Sequence, residues 1–252
     1  MRTLTQVELL ALWETGRRLH PLDQGVLAVE TAFPQTDDSV ADWPIGRRNR
    51  ALAELRCNLF GPEMAGWTAC VLCAEKLEFA LDTRALAESP KEAVPDAVEV
   101  DGVRYRLPTS RDLARLMNAA ELPAAAVPSP AMPSPVRRLL AQLRAQTTGG
   151  AEAAWNENEA PCSPEQTERV GAELAMADPL AEIRLSLDCP SCGASFEETL
   201  DLPSFLWAEL EAVVRRLLLE VHRLASAYGW SEGEILGLGS ARREFYLAMV
   251  GE

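Results

Sequence analysis

The residues best suited to chemistry are four cysteines in two short motifs. Cys70 and Cys73 form one C-x-x-C pair, and Cys189 and Cys192 form a second, which continues into Gly193. In a reducing compartment, two such pairs on turns present four thiolates to one tetrahedral Zn²⁺, because each short loop folds two sulfurs toward the metal. We therefore predict that the four cysteines bind one structural zinc ion per chain.

The similarity between the two motifs extends past the cysteines. The chain reads C-V-L-C-A-E-K-L-E-F-A-L-D from Cys70 and C-P-S-C-G-A-S-F-E-E-T-L-D from Cys189, so Cys, Cys, Glu, Leu and Asp recur at equal offsets. Segments of strand character flank both copies, at residues 67–69 and 76–81 and at residues 183–187 and 196–200. Two such hairpins that share a metal form a zinc ribbon. More than a hundred residues are inserted between its halves.

Two other interpretations of the cysteines stay open, namely a redox pair and thiols that bind nothing. A thioredoxin-like redox motif needs one C-x-x-C pair in a βαβ unit, and neither pair here leads into such a unit. A catalytic zinc keeps one position open for water, whereas four thiolates fill the tetrahedron. The pattern therefore favours a metal that supports structure.

Composition and charge exclude several classes of function. The chain has 252 residues, 48% of them hydrophobic, and a formal net charge of −14. A surface that binds a phosphate backbone is concentrated in Lys and Arg, so the acidic balance argues against nucleic acid as a partner. Neither a signal peptide nor a charge-free apolar segment long enough to cross a bilayer is evident. We expect an unexported chain without a membrane partner.

The remaining basic and cysteine residues have simple interpretations. The one basic run consists of Arg47-Arg48-Asn49-Arg50 together with Arg56. We interpret it as the solvated side of a helix or a surface for an acidic partner. Cys57 lies in a helical pattern and Cys162 in a polar linker, so neither is needed for the metal.

The expected fold class is α+β and mostly helical, with a small split zinc ribbon. It combines N-terminal helices, a long inserted segment, and a C-terminal long helix followed by two short ones. An Asp-Gly dipeptide within residues 98–107 predicts a hairpin that extends the ribbon sheet. The predicted segments are an N-terminal helical segment (1–61), the first half-ribbon with the hairpin (62–107), inserted helices and linkers (108–180), the second half-ribbon (181–202) and a C-terminal helical segment (203–252).

The C-terminal third is the most strongly patterned part of the chain. From Pro203, apolar residues recur every three or four positions until Tyr228-Gly229, which predicts a long amphipathic helix. Ser231 and Ser240 begin two further short helices. Helix, turn and helix is also the outline of a DNA-binding motif, but the acidic charge favours a packing role.

Several strings at the two ends of the chain resemble one family. They are S-F-L-W-A-E-L from Ser204, E-V-H-x-L-A-x-x-Y-G-W-x-E-x-E-I-L from Glu220, R-R-x-x-Y-L-x-M-V from Arg242, E-L-L-x-L-W-E-x-G from Glu8 and L-H-P-L-D from Leu19. These strings, together with C-P-S-C-G at the second C-x-x-C motif, resemble the T-even-type contractile phage baseplate proteins and baseplate hub assembly chaperones, including relatives in phage-tail-like contractile injection systems. The resemblance covers both ends of the chain and both C-x-x-C motifs, and is weak over residues 121–160. The resemblance implies a non-enzymatic part in assembling a baseplate, with baseplate or hub subunits as partners. It implies a cytoplasmic location during assembly, and does not distinguish a transient factor from a part of the finished particle.

Aromatic and apolar residues crowd the C-terminal end, where they are candidates for a docking surface. The candidates for partner binding are Trp230, Phe245, Tyr246 and Met249. His20 and His222, the two histidines, are interpreted as helix residues and not as ligands, and we predict no catalytic residue. A zinc-ribbon adaptor in another macromolecular machine, such as a nucleoprotein complex, and a C-x-x-C redox protein are the alternative functions.

Overall fold

A computed structural model of the chain describes residues 2–35, 38–89, 95–120, 135–144 and 163–250. The sequence predictions for the connector at 122–134, the loop at 147–162 and Cys162 lie outside the described residues. The fold class is confirmed, since the described residues form a mostly helical α+β structure with short antiparallel sheets.

The secondary structure follows the chain in a simple order. The helices are α1 (Gln6–Gly16), α2 (Pro21–Ala32), α3 (Ile45–Phe60), α4 (Arg84–Ala87), α5 (Ser110–Ala120), α6 (Pro135–Leu143), α7 (Pro164–Ala177), α8 (Leu202–Tyr228), α9 (Glu232–Leu236) and α10 (Ser240–Val250). The strands are β1 (Glu63–Ala69), β2 (Lys76–Asp82), β3 (Ala97–Val100), β4 (Val103–Arg106), β5 (Arg184–Asp188) and β6 (Ser195–Thr199). They pair as three separate antiparallel hairpins, β1–β2, β3–β4 and β5–β6.

Helix starts are encoded locally. Thr5, Ser163 and Ser231 each accept a hydrogen bond from the backbone N–H three residues later, and the Glu or Gln at that position bonds back to the cap residue. These reciprocal bonds satisfy N–H groups that have no partner inside the helix, which is why the sequence predicts these starts well.

The chain divides into two compact units, the first of which is Met1–Pro34 with Leu202–Glu252. In it, α8 is the predicted long helix, and α1, α2, α9 and α10 pack against it. Gly16 lies against the Trp207 ring, where an added Cβ would come within 2.2 Å of a ring carbon. The close approach of α1 to α8 therefore requires glycine at this position.

The second unit is Gln35–Asp201 and contains all three hairpins. Helix α3 forms part of its core, and this corrects the interpretation of the basic run as a solvated face. Arg48, Asn49 and Arg56 are 4%, 6% and 1% exposed. The Arg48 guanidinium donates to Ser110 Oγ at 2.8 Å, so these residues of the run supply buried hydrogen-bond donors, whereas Arg47 is exposed.

The β3–β4 hairpin forms where Asp101-Gly102 predicts it, with positive φ angles of 53° and 74°. The prediction that it extends the ribbon sheet is wrong, because it forms a two-stranded sheet of its own. Its buried residues Val100 and Tyr105 belong to a core cluster with residues of α6 and α7, namely Leu140, Leu143 and Val170. The apolar face of the hairpin thus covers helices of the inserted segment.

Among the helices of the described residues, none combines the length and the apolar character that a membrane span needs.

Candidate metal centre

Two hairpins carry the four cysteines at their tips. In β1–β2, Ala69 pairs with Lys76, and the turn between them contains Cys70 and Cys73. In β5–β6, Asp188 pairs with Ser195, and the turn contains Cys189 and Cys192. The predicted strands flanking both motifs are therefore present, and both knuckles sit at equivalent places in their hairpins.

The two turns have the same backbone hydrogen bonds. Cys70 N–H donates to Glu75 O at 2.8 Å, and Ala74 N–H donates to Cys70 O at 2.9 Å. In the second turn the corresponding bonds run from Cys189 N–H to Ala194 O at 2.8 Å and from Gly193 N–H to Cys189 O at 2.9 Å. The internal repeat in the sequence is thus a repeat in structure.

The residue after each second cysteine adopts a left-handed conformation. The φ angle of Gly193 is 72°, which glycine adopts without strain. The corresponding residue in the first turn is Ala74, with a φ angle of 59°. A Cβ makes this conformation unfavourable by roughly 1–2 kcal/mol, so the surrounding hairpin must hold it in place.

Helix α3 brings together two hairpins that are far apart in the chain. Near its N-terminus, Gly46 N–H donates to Asp178 Oδ2 at 2.8 Å, and the Asn49 side chain donates to Leu180 O at 2.8 Å. Asp178 and Leu180 lie just before β5. A Cβ on Gly46 would meet Asp178 Oδ1 at 1.7 Å, so only glycine permits this contact.

At the other end of α3, Arg56 holds the start of the first hairpin. Its guanidinium donates to Gly61 O and Glu63 O, each at 2.8 Å, and to Thr83 Oγ1 at 3.2 Å. These groups lie where the chain leaves α3, enters β1 and leaves β2. The helix therefore anchors both halves of the ribbon.

The four sulfurs converge across the two hairpins. Cys70 Sγ lies 3.6 Å from Cys192 Sγ, and Cys73 Sγ lies 3.6 Å from Cys189 Sγ. All four Sγ atoms lie within 4.8 Å of one another. Zn–S bonds of about 2.3 Å in a tetrahedron would place the sulfurs about 3.8 Å apart. The donor set and its spacing fit one tetrahedral metal ion, as the sequence predicts for the cluster.

The cluster is half enclosed. Cys70 and Cys189 are buried, whereas Cys73 and Cys192 are exposed. The buried pair packs with Leu77, Ala194 and Phe196, which form a small apolar core under the sulfurs. Solvent therefore reaches the cluster from one side only.

Backbone N–H groups and the neighbouring sulfurs set the acidity of the thiols. The N–H groups of Cys73 and Leu72 lower the pKa of Cys70 to about 6. The N–H of Glu75 acts in the same direction on Cys73, but lost hydration and the adjacent cysteines outweigh it and raise the pKa of Cys73 to about 12. The N–H of Ala194 and the thiol of Cys73 act to lower the pKa of Cys192. Lost hydration and the thiols of Cys189 and Cys70 outweigh them, so the pKa of Cys192 is raised too.

The affinity of the cluster for Zn²⁺ should increase steeply with pH. Cysteine binds metal as thiolate, and near pH 7 the thiols of Cys73 and Cys192 are still protonated, so binding must release at least two protons. Around neutral pH, the affinity should therefore rise about 100-fold or more per pH unit.

Competition with a chromogenic chelator of known protonation behaviour, at several pH values, measures this slope. Proton release can be counted independently by calorimetry in buffers of different ionisation enthalpy. An affinity that does not change with pH would show that the metal is not held by these thiols.

The other residues considered from the sequence lie outside the cluster. His20 caps α2, where its Nδ1 accepts a hydrogen bond from Leu22 N–H at 3.2 Å, and His222 is exposed on α8. Trp230 and Tyr246 pack against each other, with ring centroids 5.0 Å apart. The Tyr228 ring completes this aromatic group, with its centroid 4.7 Å from that of Trp230 and 5.7 Å from that of Tyr246.

Two of the four candidates for partner binding are directed to solvent. Phe245 is 67% exposed and Met249 is 47% exposed, one turn apart on α10. Buried Arg243, on the same helix, pairs with Glu220 at 3.3 Å and donates to Leu238 O at 2.9 Å. The sequence contains no local signal for this role, because Glu220 lies 23 residues away on another helix.

Comparisons with known proteins add no family assignment. No protein-family model, curated protein or solved structure matches the chain. The fold and the site define a mostly helical α+β protein with a four-cysteine cluster that is compatible with a zinc-ribbon-like metal site.

Proposed function

We propose that the protein is a non-enzymatic assembly factor or structural adaptor of a contractile tail or injection-system baseplate, stabilised by one structural Zn²⁺. The observation that carries the zinc part is the convergence of the Sγ atoms of Cys70, Cys73, Cys189 and Cys192. Four thiolates suit zinc, and they leave no position open for a substrate or an activated water molecule. This donor set supports a structural role for the metal.

The resemblance of both chain ends to contractile-tail baseplate proteins and hub chaperones supports the assembly role. The exposed apolar pair on α10, Phe245 and Met249, supports docking at the same end of the chain. Large apolar side chains that leave water on binding contribute strongly to protein interfaces. In this proposal α10 contacts a baseplate or hub subunit through that pair.

Point substitutions test the docking surface better than a deletion of α10. A deletion would also remove Arg243 together with Tyr246, Leu247 and Val250, which pack on the buried residues Val221, Leu224 and Ile235. A loss of docking by such a variant would not be distinguishable from unfolding. Substitutions at exposed positions leave this packing in place.

The double substitution Phe245→Ser/Met249→Ser should abolish co-purification with baseplate components and yield particles without complete baseplates. Loss of two large anchors from an interface is worth on the order of 2–4 kcal/mol, or about 30-fold to 1000-fold in affinity. Val7→Ser is the matched control, because Val7 is 58% exposed in the same unit but lies on α1. Co-purification and electron microscopy of particles from both variants provide the measurement.

Melting curves and metal content should be the same in both variants as in the original protein. Normal particle assembly by the double variant would exclude this pair as the docking surface. A defect of equal size in Val7→Ser would mean that the pair has no specific role.

A further inference from the structure

The β1–β2 hairpin, which carries Cys70 and Cys73, exposes three large apolar residues to solvent. Trp67 on β1 is 65% exposed, and Val71 and Leu72, which lie between the two cysteines, are 66% and 77% exposed. Outward-facing positions alternate along β1 and β2, so Trp67 shares its face with Ala65 and Ala69 and with Lys76, Glu78 and Ala80 of the neighbouring strand. We call Trp67, Val71 and Leu72 the knuckle surface.

The second hairpin provides an internal control for the need for these residues. At the equivalent positions, it carries Ser186, Pro190 and Ser191, all of which are exposed. It nevertheless forms the same turn, with the same two backbone hydrogen bonds, and presents its two sulfurs to the same cluster. Neither the turn nor the metal cluster therefore requires an apolar side chain at these positions.

The charges around the knuckle surface are mostly negative. Glu75 and Glu78 are exposed beside it, and four thiolates with one dication would add a net formal charge of −2. Lys76 is the one nearby base of this hairpin. Its Nζ lies 3.1 Å from Glu78 Oε1 and 5.6 Å from the centre of the Trp67 ring, so it offsets the charge of Glu78, and the charges of Glu75 and of the metal cluster make the surroundings acidic. An apolar surface with an acidic border fits a partner with Lys or Arg beside its own apolar side chains.

We propose that the knuckle surface is a second docking site, which binds a segment of a partner protein that carries apolar side chains flanked by Lys or Arg. The apolar side chains of the segment cover Val71 and Leu72 and the exposed part of Trp67, and its cations face Glu75 and the metal cluster. This site goes beyond the proposed function, because it lies in the unit Gln35–Asp201 and does not involve α10.

Charge also argues against a second copy of the chain as the occupant. Two copies that met through the knuckle surface would bring together two acidic borders, each on a chain of net charge −14. Like charges at this density oppose association. Nucleic acid is disfavoured for the same reason.

Site-specific photo-crosslinking in cells that naturally express the protein tests this site. A benzoylphenylalanine residue replaces Leu72 in one full-length variant and Ser191, at the equivalent position of the second hairpin, in the control. The proposal expects an adduct from position 72 and none from position 191, and mass spectrometry should map it to an apolar segment with Lys or Arg. No adduct, equal adducts at both positions, or an adduct to this chain, to lipid, to nucleic acid or to an acidic segment would overturn it.

The mapped segment, made as a synthetic peptide, then serves as the binding probe for purified zinc-loaded protein. The variant Trp67→Ser/Val71→Pro/Leu72→Ser copies the second hairpin and should weaken peptide binding at least tenfold, and Leu72→Ser alone should weaken it by a smaller factor. Glu75→Lys should weaken binding and reduce its dependence on salt. Each variant is compared at equal zinc content, so a folding defect is separated from a docking defect. Unchanged peptide affinity in Leu72→Ser and in the triple variant would overturn the proposal.

Discussion

Replacing Cys189 with serine should lower the melting temperature of the unit Gln35–Asp201 by more than about 10 °C, since roughly 2–4 °C is lost per kcal/mol in a unit of this size. Cys189 is buried, and its Sγ lies 3.6 Å from Cys73 Sγ, so its removal opens the cluster from the inside. Structural zinc contributes on the order of 10 kcal/mol to small domains that fold around it. Losing one of four thiolates should forfeit much of that stabilisation.

Two cysteines outside the cluster serve as controls for this substitution. Cys57→Ser should cost about 1 kcal/mol or less, because Cys57 Sγ contacts Thr83 Oγ1 at 3.1 Å and a serine hydroxyl keeps a hydrogen bond there. Cys162→Ser, outside the described residues, is expected to have a similarly small effect. A chelator should destabilise the original protein and both controls, and leave Cys189→Ser unchanged. Small and equal effects of all three substitutions would argue against a structural metal.

Replacing Arg56 with methionine should cost about 3 kcal/mol or more in unfolding free energy. Arg56 is 1% exposed, and it donates hydrogen bonds to Gly61 O, Glu63 O and Thr83 Oγ1. Methionine fills similar space without a donor, and the loss of each of these three hydrogen bonds from a buried guanidinium costs roughly 1 kcal/mol or more. The substitution also loosens the base of the first hairpin, so zinc should dissociate faster from this variant.

Arg47→Met on the same helix is the matched control. Arg47 is exposed, with its guanidinium 3.9 Å from the centre of the Trp43 ring, and its loss should cost about 1 kcal/mol or less. Urea denaturation of both variants, with zinc in excess, gives the two free energies. Equal costs would mean that Arg56 faces water in the same way as Arg47, contrary to the structure.

The metal cluster could be predicted because its signal is local and repeated. Two C-x-x-C pairs in matching contexts are sufficient to indicate one site, and the flanking alternation is sufficient to predict the hairpins. The capped helices and long α8 were predictable for the same reason, since caps and apolar periodicity are encoded within a few residues.

The burial of the basic residues of α3 could not be predicted, because it depends on residues distant in sequence. Arg48 and Arg56 look like surface residues until Ser110 and Thr83 supply acceptors for them. Similarly, Asp101-Gly102 encodes the hairpin turn but not the helices that the hairpin covers. Charge alone does not determine burial, since a buried Arg with satisfied donors is compatible with a packed core.

The inserted segment shows how an interrupted ribbon can be held together. Asp178 and Leu180 contact the N-terminal part of α3, and Arg56 near its C-terminal end holds the first hairpin. Gly46 is essential to this arrangement, although in the sequence it looks like an ordinary helix residue. Such a close approach is not visible in the sequence around Gly46, because its partner, Asp178, is 132 residues away in the chain.

The zinc content of the purified protein shows whether the four cysteines hold a structural metal. The full-length chain, expressed without added chelator, is measured by elemental analysis against protein concentration, beside Cys189→Ser and Cys57→Ser. We expect one tightly held zinc per chain in the original protein and in Cys57→Ser, and none in Cys189→Ser. A metal-free original protein whose cysteines form a reversible disulfide would contradict it and favour redox chemistry instead.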